Sequence, residues 1–225
     1  MESRVVISCS MLMDEVTKVC ENKNDLPEII WMKRGMHKNP EQLKKSLQQV
    51  IDSCKDRDTI LLTYGLCGRS TLGLYSETAR LVLPRFHDCI HQLCREPEET
   101  GHLYLTRGWT LDAEGIYQQS QLVLRKYGME YGMEILRGLY GGYDTIDVID
   151  TGAYPVEPVM EHARRTAELL GKRANKIPGS TVILEKLFTG NWDEDFIVLE
   201  PGERLTLKHF GILAGNDHFA DGIAQ

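Results

Sequence analysis

Residues 59–67 read TILLTYGLC, an apolar run that ends in a glycine-containing turn and a thiol. Two further segments, residues 4–9 (RVVISC) and 80–89 (RLVLPRFHDC), also run from apolar residues to a cysteine. A wholly apolar centre is typical of a strand that is covered on both faces in a parallel sheet. Because the carboxyl ends of parallel strands lie along one edge of a sheet, we expect these three cysteines to meet in one crevice.

Helical segments with one apolar face alternate with these strand-like segments. In residues 39–54, Asn39 suits the N-cap, Pro40 suits the first helical position, and apolar side chains follow at helical spacing. Such alternation predicts an α/β fold, with a mostly parallel sheet and helices on both faces. We expect a single α/β domain over residues 1–210, with room for two lobes around a crevice, and a C-terminal tail or arm over residues 211–225.

The remaining elements follow from the same two periodicities. Strands are predicted at residues 29–32, 81–83, 146–149 and 196–199. Helices are predicted at residues 11–20, at 156–170, over one long segment from Asp112 to about Leu139, and at the ambiguous segment 181–188, where a helix is slightly preferred.

The composition is that of an ordinary globular protein. The chain has 225 residues and a net charge of −7, which argues against a general nucleic-acid-binding protein. Its start lacks the apolar run and the cleavage site of a signal peptide, and no apolar stretch approaches the roughly 20 residues that span a bilayer. We therefore expect a cytoplasmic protein that binds neither nucleic acid nor a membrane, and the oligomeric state stays open.

The six cysteines divide into two groups by their position in these patterns. Three lie in or near helical apolar patterns, where cysteine packs as a small hydrophobic residue, namely Cys20, Cys54 and Cys94. The other three follow strands and stand beside Gly, Ser or Asp, namely Cys9, Cys67 and Cys89. In a reducing compartment the second group stays available as metal ligands.

A histidine adds a second kind of donor to this group. His87 stands two residues before Cys89, so both side chains point the same way on a strand, and Asp88 could orient the imidazole as a neighbouring carboxylate. Thiolate and imidazole are the ligands that zinc and iron–sulfur clusters prefer. Three cysteines could hold a [4Fe-4S] cluster with one open iron, or three protein groups could hold zinc with an open position. The spacing does not choose between these metals.

Other polar and aromatic residues are candidates for binding a cofactor or substrate. Arg69 and Ser70, just after the second of these cysteines, offer donors for a phosphate or carboxylate. Trp109 could cover a planar ligand, and Asp150 with Thr151 could place an anion at the start of the following helix. An exposed polar loop explains Arg69 and Ser70 equally well, whereas core packing is the favoured role of Trp109 and helix capping that of Asp150 and Thr151.

Several short runs resemble one uncharacterised family, catalogued as domain of unknown function sixteen thirty-eight. The runs are the cysteine after the first strand, residues 64–68 (YGLCG), 87–89 (HDC), 108–109 (GW) and 149–152 (IDTG). Members of that family are found mainly in anaerobic bacteria and methanogenic archaea, frequently encoded beside corrinoid-dependent methyltransferases. The resemblance implies that Cys9, Cys67, His87 and Cys89 share a site. It also implies corrinoid-linked methyl or one-carbon metabolism as the setting, with a corrinoid protein or its methyltransferase as a partner.

Three functions are compatible with these residues. The first is a zinc or iron–sulfur protein that serves this metabolism as an enzyme or an accessory factor. The second is a metal-free module that docks on a methyltransferase or corrinoid protein and uses its cysteines only for packing. The third is an enzyme with Cys67 as the nucleophile and His87 as its base. The sequence does not decide whether the protein is an enzyme.

Overall fold

The computed structural model describes residues 2–21, 23, 26–94, 100–113 and 115–212. The described chain forms two compact units, one from residues 1–92 and 181–225 and the other from residues 93–180. Both are built from parallel strands and helices, so the predicted α/β class is confirmed. A single domain over residues 1–210 stays a prediction, and the tail beyond residue 212 lies outside the described residues.

The strands and helices have the following bounds. The described strands are β1 (Arg4–Cys9), β2 (Glu28–Met32), β3 (Thr59–Leu62), β4 (Arg80–Pro84), β5 (His102–Leu105), β6 (Thr145–Asp150), β7 (Arg173–Pro178) and β8 (Phe196–Leu199). The described α-helices are α1 (Met13–Cys20), α2 (Pro40–Ser53), α3 (Cys89–Leu93), α4 (Arg107–Thr110), α5 (Ile116–Tyr127), α6 (Met129–Tyr140), α7 (Val156–Leu170) and α8 (Val182–Thr189). Short 3-10 helices span Ser10–Leu12, Met36–Lys38 and Leu207–Phe210.

The first unit contains a five-stranded sheet in the order β2-β1-β3-β4-β8. The first four of these strands are parallel, and β8 pairs antiparallel with β4. All four residues of β3 are buried, as expected for a central strand that is covered on both faces. Leu43, Leu47 and Ile51 of α2 pack in one core with side chains of β1, β3 and β4, while α8 contacts both α1 and β4.

The start of α2 agrees with the sequence pattern. The Asn39 side chain accepts a hydrogen bond from the Gln42 amide at 3.0 Å, and Pro40 occupies the first turn. The Asn39 side chain gives a partner to a backbone N–H group that would otherwise have none at the helix start, and Pro40 has no N–H group that needs a partner. Cys54 follows the helix and is buried in the same core, so its predicted packing role is confirmed.

The second unit contains the parallel sheet β5-β6-β7. Ile146 and Val148 of β6 are completely buried, and they share a core with Val159 and Ala163 of α7. Gly171 ends α7 in the left-handed conformation, as the sequence predicts.

Three features of this unit differ from the prediction. The prediction of one long helix from Asp112 to about Leu139 is wrong, because two helices, α5 and α6, lie on either side of Gly128, which has φ 78° and ψ 172°. The strand β5 was not predicted, since four residues that begin with a histidine give little periodic signal. The strand β7 was not predicted either, because its sequence RANKIP is mostly polar or exposed at the edge of the sheet.

Among the described residues, no helix is long and apolar enough to cross a membrane.

Gly128→Ala tests the break between α5 and α6. A positive φ with an extended ψ is essentially restricted to glycine, so we expect the free energy of unfolding to fall by about 1–3 kcal/mol in urea denaturation. Gly138→Ala, inside α6, is the matched control because no described atom lies within 4 Å of an added Cβ. That change is expected to raise stability by up to about 1 kcal/mol. Equal effects of the two changes would contradict the assignment of two helices.

Candidate metal centre

The carboxyl edge of the first sheet brings the three predicted cysteines to neighbouring strand ends. Cys9 is the last residue of β1, Cys67 lies in the turn after β3, and Cys89 begins α3 after β4. These three strands are adjacent in the sheet and run in the same direction. The side of the sheet on which they end is therefore the one that the sequence predicts.

Backbone hydrogen bonds join the turn after β3 to the segment after β4. The Leu66 amide donates to the Phe86 carbonyl at 2.8 Å, and the Cys67 amide donates to the His87 carbonyl at 2.7 Å. Gly65 permits this approach, because a Cβ at that position would lie 2.2 Å from the Phe86 carbonyl oxygen. The position of Cys67 is thus fixed relative to the segment that leads into Cys89.

The turn after β3 also carries an unusual backbone conformation. Cys67 and Arg69 have φ of 46° and 69°, values that non-glycine residues rarely adopt. The Thr71 hydroxyl donates to the Gly65 carbonyl at 2.9 Å and holds the base of the turn. Conformations of this kind persist where the surroundings determine them, and they concentrate at functional sites.

The thiols act on one another electrostatically. Burial is the largest cause of the raised pKa of Cys67, and the negative charges of Asp88 and Cys9 raise this pKa further. The pKa of Cys89 is raised by burial and then by Asp88, Cys67 and Cys9. Negative charge at Cys9 therefore disfavours a thiolate at Cys67 and at Cys89, and negative charge at Cys67 disfavours one at Cys89. We refer to Cys9, Cys67 and Cys89 as the thiol cluster.

The surroundings of Cys9 are less negative than those of the other two thiols. Burial raises its pKa, but the Met11 amide, the Tyr64 hydroxyl and the Arg34 guanidinium act in the opposite direction. The guanidinium is held in place by a hydrogen bond of 3.1 Å from its Nη2 to the Ser10 carbonyl. Cys9 is accordingly the position where a thiolate receives direct support from the protein.

Solvent reaches the cluster in spite of this burial. Each of the three cysteines keeps part of its surface exposed, although protein packs closely enough around each sulfur for burial to be the first cause of its raised pKa. Part of each of these residues therefore lies at the surface of the first unit.

The segment after β4 carries two histidines, one on each side of Cys89 in the sequence. The rings of His87 and His91 lie 5.4 Å apart. Burial, and then the charge of His91, lower the pKa of His87, which keeps it neutral and able to bind a metal. One Asp88 oxygen accepts from the Ile90 and His91 amides at 2.9 and 3.1 Å and lies 2.9 Å from His91 Nδ1. Asp88 thus caps α3 and contacts His91, whereas the sequence indicated His87 as its partner.

Sequence reasoning missed three residues that surround the cluster, namely Glu15, Arg34 and Tyr64. Glu15, on α1, is completely buried and raises the pKa of Cys89. Tyr64 is 3% exposed and stands in the YGLCG run, so its position next to a candidate ligand was a usable signal. Arg34 follows β2 and could have been found by extending the strand-end argument to a fourth strand.

The predicted cofactor-binding residues divide between the two units. Arg69 is exposed and Ser70 is buried in the turn that carries Cys67. Trp109 packs against the core of the second unit. Asp150 and Thr151 accept hydrogen bonds from the Gly152 and Ala153 amides at 3.2 and 3.3 Å, so both stabilise the turn after β6.

The donor set of the cluster fits a soft metal, since it combines thiols with a neutral imidazole. Within the described ranges, no three or more His, Cys, Asp or Glu side chains are grouped so that they could hold a metal ion as they stand. The residues that would hold a metal are Cys9, Cys67, His87 and Cys89. Zinc and a cluster with three cysteine ligands both suit this set.

Gly65→Ala tests how the cluster is held together. The added methyl group would overlap the Phe86 carbonyl and separate the two segments, so we expect a loss of about 1–3 kcal/mol in the free energy of unfolding. Urea denaturation measures this loss. Gly142→Ala, where no described atom lies within 4 Å of an added Cβ, is the control and should unfold like the parent protein. A Gly65→Ala variant as stable as the parent would refute this account of the turn.

Comparison with known proteins identifies the family of the chain. Residues 31–188 match the family model described as "Protein of unknown function (DUF1638)". The match includes Cys67, His87 and Cys89, whereas Cys9 precedes it. No curated protein and no solved structure matches the chain significantly. The chain therefore belongs to the DUF1638 family.

Proposed function

We propose that this protein holds zinc or an iron–sulfur cluster at the carboxyl edge of its first sheet. The ligands are Cys9, Cys67 and Cys89, with His87 as the fourth donor. The observation that carries the proposal is the position of the three cysteines at the carboxyl ends of three adjacent parallel strands. Cysteines that merely fill a core need no such convergence.

The charges around the cluster favour a cation as its occupant. The Asp88 carboxyl has a lowered pKa because of its hydrogen bonds to His91 and to the start of α3, so it is ionised. Glu15 adds a second carboxyl group in the interior, within electrostatic reach of Cys89. A thiolate at Cys9 raises the pKa of both Cys67 and Cys89, and one at Cys67 raises the pKa of Cys89. A bound cation reverses this relation, because metal-bound thiols lose their protons outright.

The residues around the ligands leave a place for a further group. Part of each cysteine residue is exposed, and His87, whose pKa is lowered, offers a neutral lone pair. When bound, zinc would supply Lewis acidity toward a substrate thiol, and a cluster would supply Lewis acidity or electrons for a corrinoid. Arg34 would balance part of the negative charge at Cys9.

The setting that we propose is corrinoid-linked methyl or one-carbon metabolism in the cytoplasm. Its support is the resemblance of the cysteine-bearing runs to a family often encoded beside corrinoid-dependent methyltransferases. A corrinoid protein or its methyltransferase is accordingly the proposed partner. The protein acts there as an enzyme or as an accessory factor.

A cysteine nucleophile is the second candidate function. The left-handed backbone of Cys67 favours it, because a strained turn can present a reactive side chain. The pKa of Cys67 opposes it, since burial and the negative charges of Asp88 and Cys9 raise that pKa, whereas catalytic thiols have lowered values. The metal proposal agrees with both observations.

Replacing two proposed ligands tests the metal centre. Cys67→Ser with Cys89→Ser is expected to abolish metal binding, because a serine hydroxyl is a poor ligand for a soft metal. Elemental analysis and the visible spectrum of protein purified without oxygen measure the result. Cys20→Ser, at the end of α1, is the control and should retain the parent metal content. Brown absorbance identifies a cluster, and stoichiometric zinc without colour identifies a zinc site.

The outcome that contradicts the proposal is parent protein without stoichiometric metal. The metal-free docking module would then account for the cysteines, and their replacement by serine would reduce stability only modestly.

The rate of thiol alkylation tests the nucleophile. We expect iodoacetamide to label Cys67 of metal-free protein no faster than Cys20 near neutral pH, because its raised pKa keeps it protonated. Labelling of Cys67 should accelerate only as the pH rises well above 9.0, the ordinary thiol value. Peptide mapping by mass spectrometry gives the rate at each site. Preferential labelling of Cys67 at neutral pH would support the second function instead.

A further inference from the structure

A histidine and a buried carboxylate form a close pair in the second unit. His102 begins β5, and its Nδ1 lies 2.5 Å from Oδ2 of Asp147 in the neighbouring strand β6. The Asp147 side chain is 4% exposed, whereas 27% of the His102 side chain is exposed. The pair therefore combines a buried acidic group with an imidazole that solvent reaches.

The carboxylate determines which nitrogen of His102 carries the proton. Imidazole is a stronger base than a carboxylate, and a carboxylate can only accept a hydrogen bond, so the shared proton lies on Nδ1. The lone pair of the neutral ring is then on Nε2. In the described part of the chain Nε2 has no hydrogen-bond partner, and it is not buried. The lone pair is therefore available to an incoming group.

The second oxygen of Asp147 has no donor of its own. Oδ1 is buried and accepts no hydrogen bond from the described residues. A buried carboxylate with so few donors favours positive charge on the ring beside it. A buried carboxylate orients the catalytic histidine of many hydrolases in the same way. The ring of Tyr104 is stacked against the imidazole with centroids 6.3 Å apart, which further restricts its orientation.

A cation lies on the same face of this sheet. His102 pairs with Thr145 and Thr145 pairs with Arg173, so the three parallel strands place these residues in one row. Residues in register on adjacent strands point to the same face of a sheet. Nη2 of Arg173 lies 3.5 Å from Oγ1 of Thr145. The exposed guanidinium therefore extends from β7 over β6, towards His102.

An open imidazole lone pair on the same face as a guanidinium suits the acceptance of a phosphoryl group. Arginine binds phosphoryl oxygens through parallel hydrogen bonds, and histidine is among the side chains that form covalent intermediates. A metal ion would need further donors, and the described residues offer no group of three that could hold one. A carboxylate ligand would use the guanidinium but would leave the lone pair facing another negative charge.

We propose that His102 is a phosphoryl-acceptor residue, with Asp147 as its positioning residue and Arg173 as the group that binds the phosphoryl oxygens. Nε2 attacks the phosphorus of a donor with a good leaving group, such as an acyl phosphate or a phosphoramidate. The N–P bond forms while the bond from phosphorus to the leaving group breaks, and the leaving group departs with that electron pair. The proton stays on Nδ1, where Asp147 balances the positive charge of the ring. This proposal uses the second unit alone and does not depend on the proposed metal centre.

Phosphoramidate, a small donor that phosphorylates histidine without an enzyme, is the probe. Peptide mapping by mass spectrometry measures the rate at each histidine, and phosphorus NMR identifies the N–P bond. His162 of the same unit is the internal control, because burial and then the charge of Arg165 lower its pKa, so it is also neutral and beside an arginine. Since His162 has no carboxylate partner among the described residues, we expect His102 to react at least about tenfold faster.

Two variants separate the roles of the neighbouring groups. In Asp147→Asn the amide N–H can donate to Nδ1, which moves the ring proton to Nε2 and removes the lone pair. We expect the rate at His102 to fall by about 10- to 100-fold and the rate at His162 to stay unchanged. Arg173→Gln should slow the reaction of His102 with phosphoramidate, an anion, but not with diethyl pyrocarbonate, an uncharged reagent that modifies histidine.

Three outcomes would overturn the proposal. The first is His102 reacting no faster than His162 in the parent protein, and the second is an unchanged rate at His102 in Asp147→Asn. The third comes from nitrogen NMR of the parent protein labelled in its histidines, at mildly alkaline pH, and is a proton on Nε2 of His102. That measurement decides the matter even where Asp147→Asn does not fold. Chelator-treated protein should give the same rates, so absence of a metal centre would leave these results unchanged.

Discussion

The parallel pairing of β1, β3 and β4 is the constraint on which the rest of the structure depends. Val5 pairs with Ile60, and Ile60 pairs with Leu81, so the three strands run side by side in one direction. Their burial on both faces strongly disfavours a shift of register, since a slip by one residue would exchange the two faces of a strand. Every residue of the candidate centre follows from where these strands stop.

The balance of charge among buried groups is the second constraint on the carboxyl edge of the first sheet. Three thiols, the Asp88 carboxylate and Glu15 are gathered where the protein interior disfavours unpaired charge. As thiols, the cysteines are neutral and the arrangement is acceptable. As thiolates, they need a positive counterpart that Arg34 alone does not provide. Protonated thiols are therefore compatible with this edge as it stands, and three thiolates would need the cation that we propose as its occupant.

The sequence predicts most of the first sheet and the meeting of its three cysteines, but it does not predict every element of the fold or every residue around the cysteines. Apolar runs bounded by turns identify β1, β3, β4, β6 and β8, and the rule about strand ends then brings the cysteines together. The strand β7 is polar because it lies at a sheet edge, and a single Gly128 inside a helical pattern does not reveal that it ends a helix. Tyr64 could not be assigned because a tyrosine beside a strand is normally part of the core. Its near-complete burial just after the end of β3 is visible only in the structure.

The hydrogen bonds between residues 65–67 and 86–87 have a consequence for how a site of this kind is assembled. Because they fix both segments through the backbone, the entropy of ordering these segments is lost during folding rather than when a ligand enters. The large apolar core beneath them supplies that folding energy independently. Small metal-dependent domains fold only around their metal, whereas the order of these two segments does not depend on a ligand, so the proposed metal would enter a backbone frame that folding has already built.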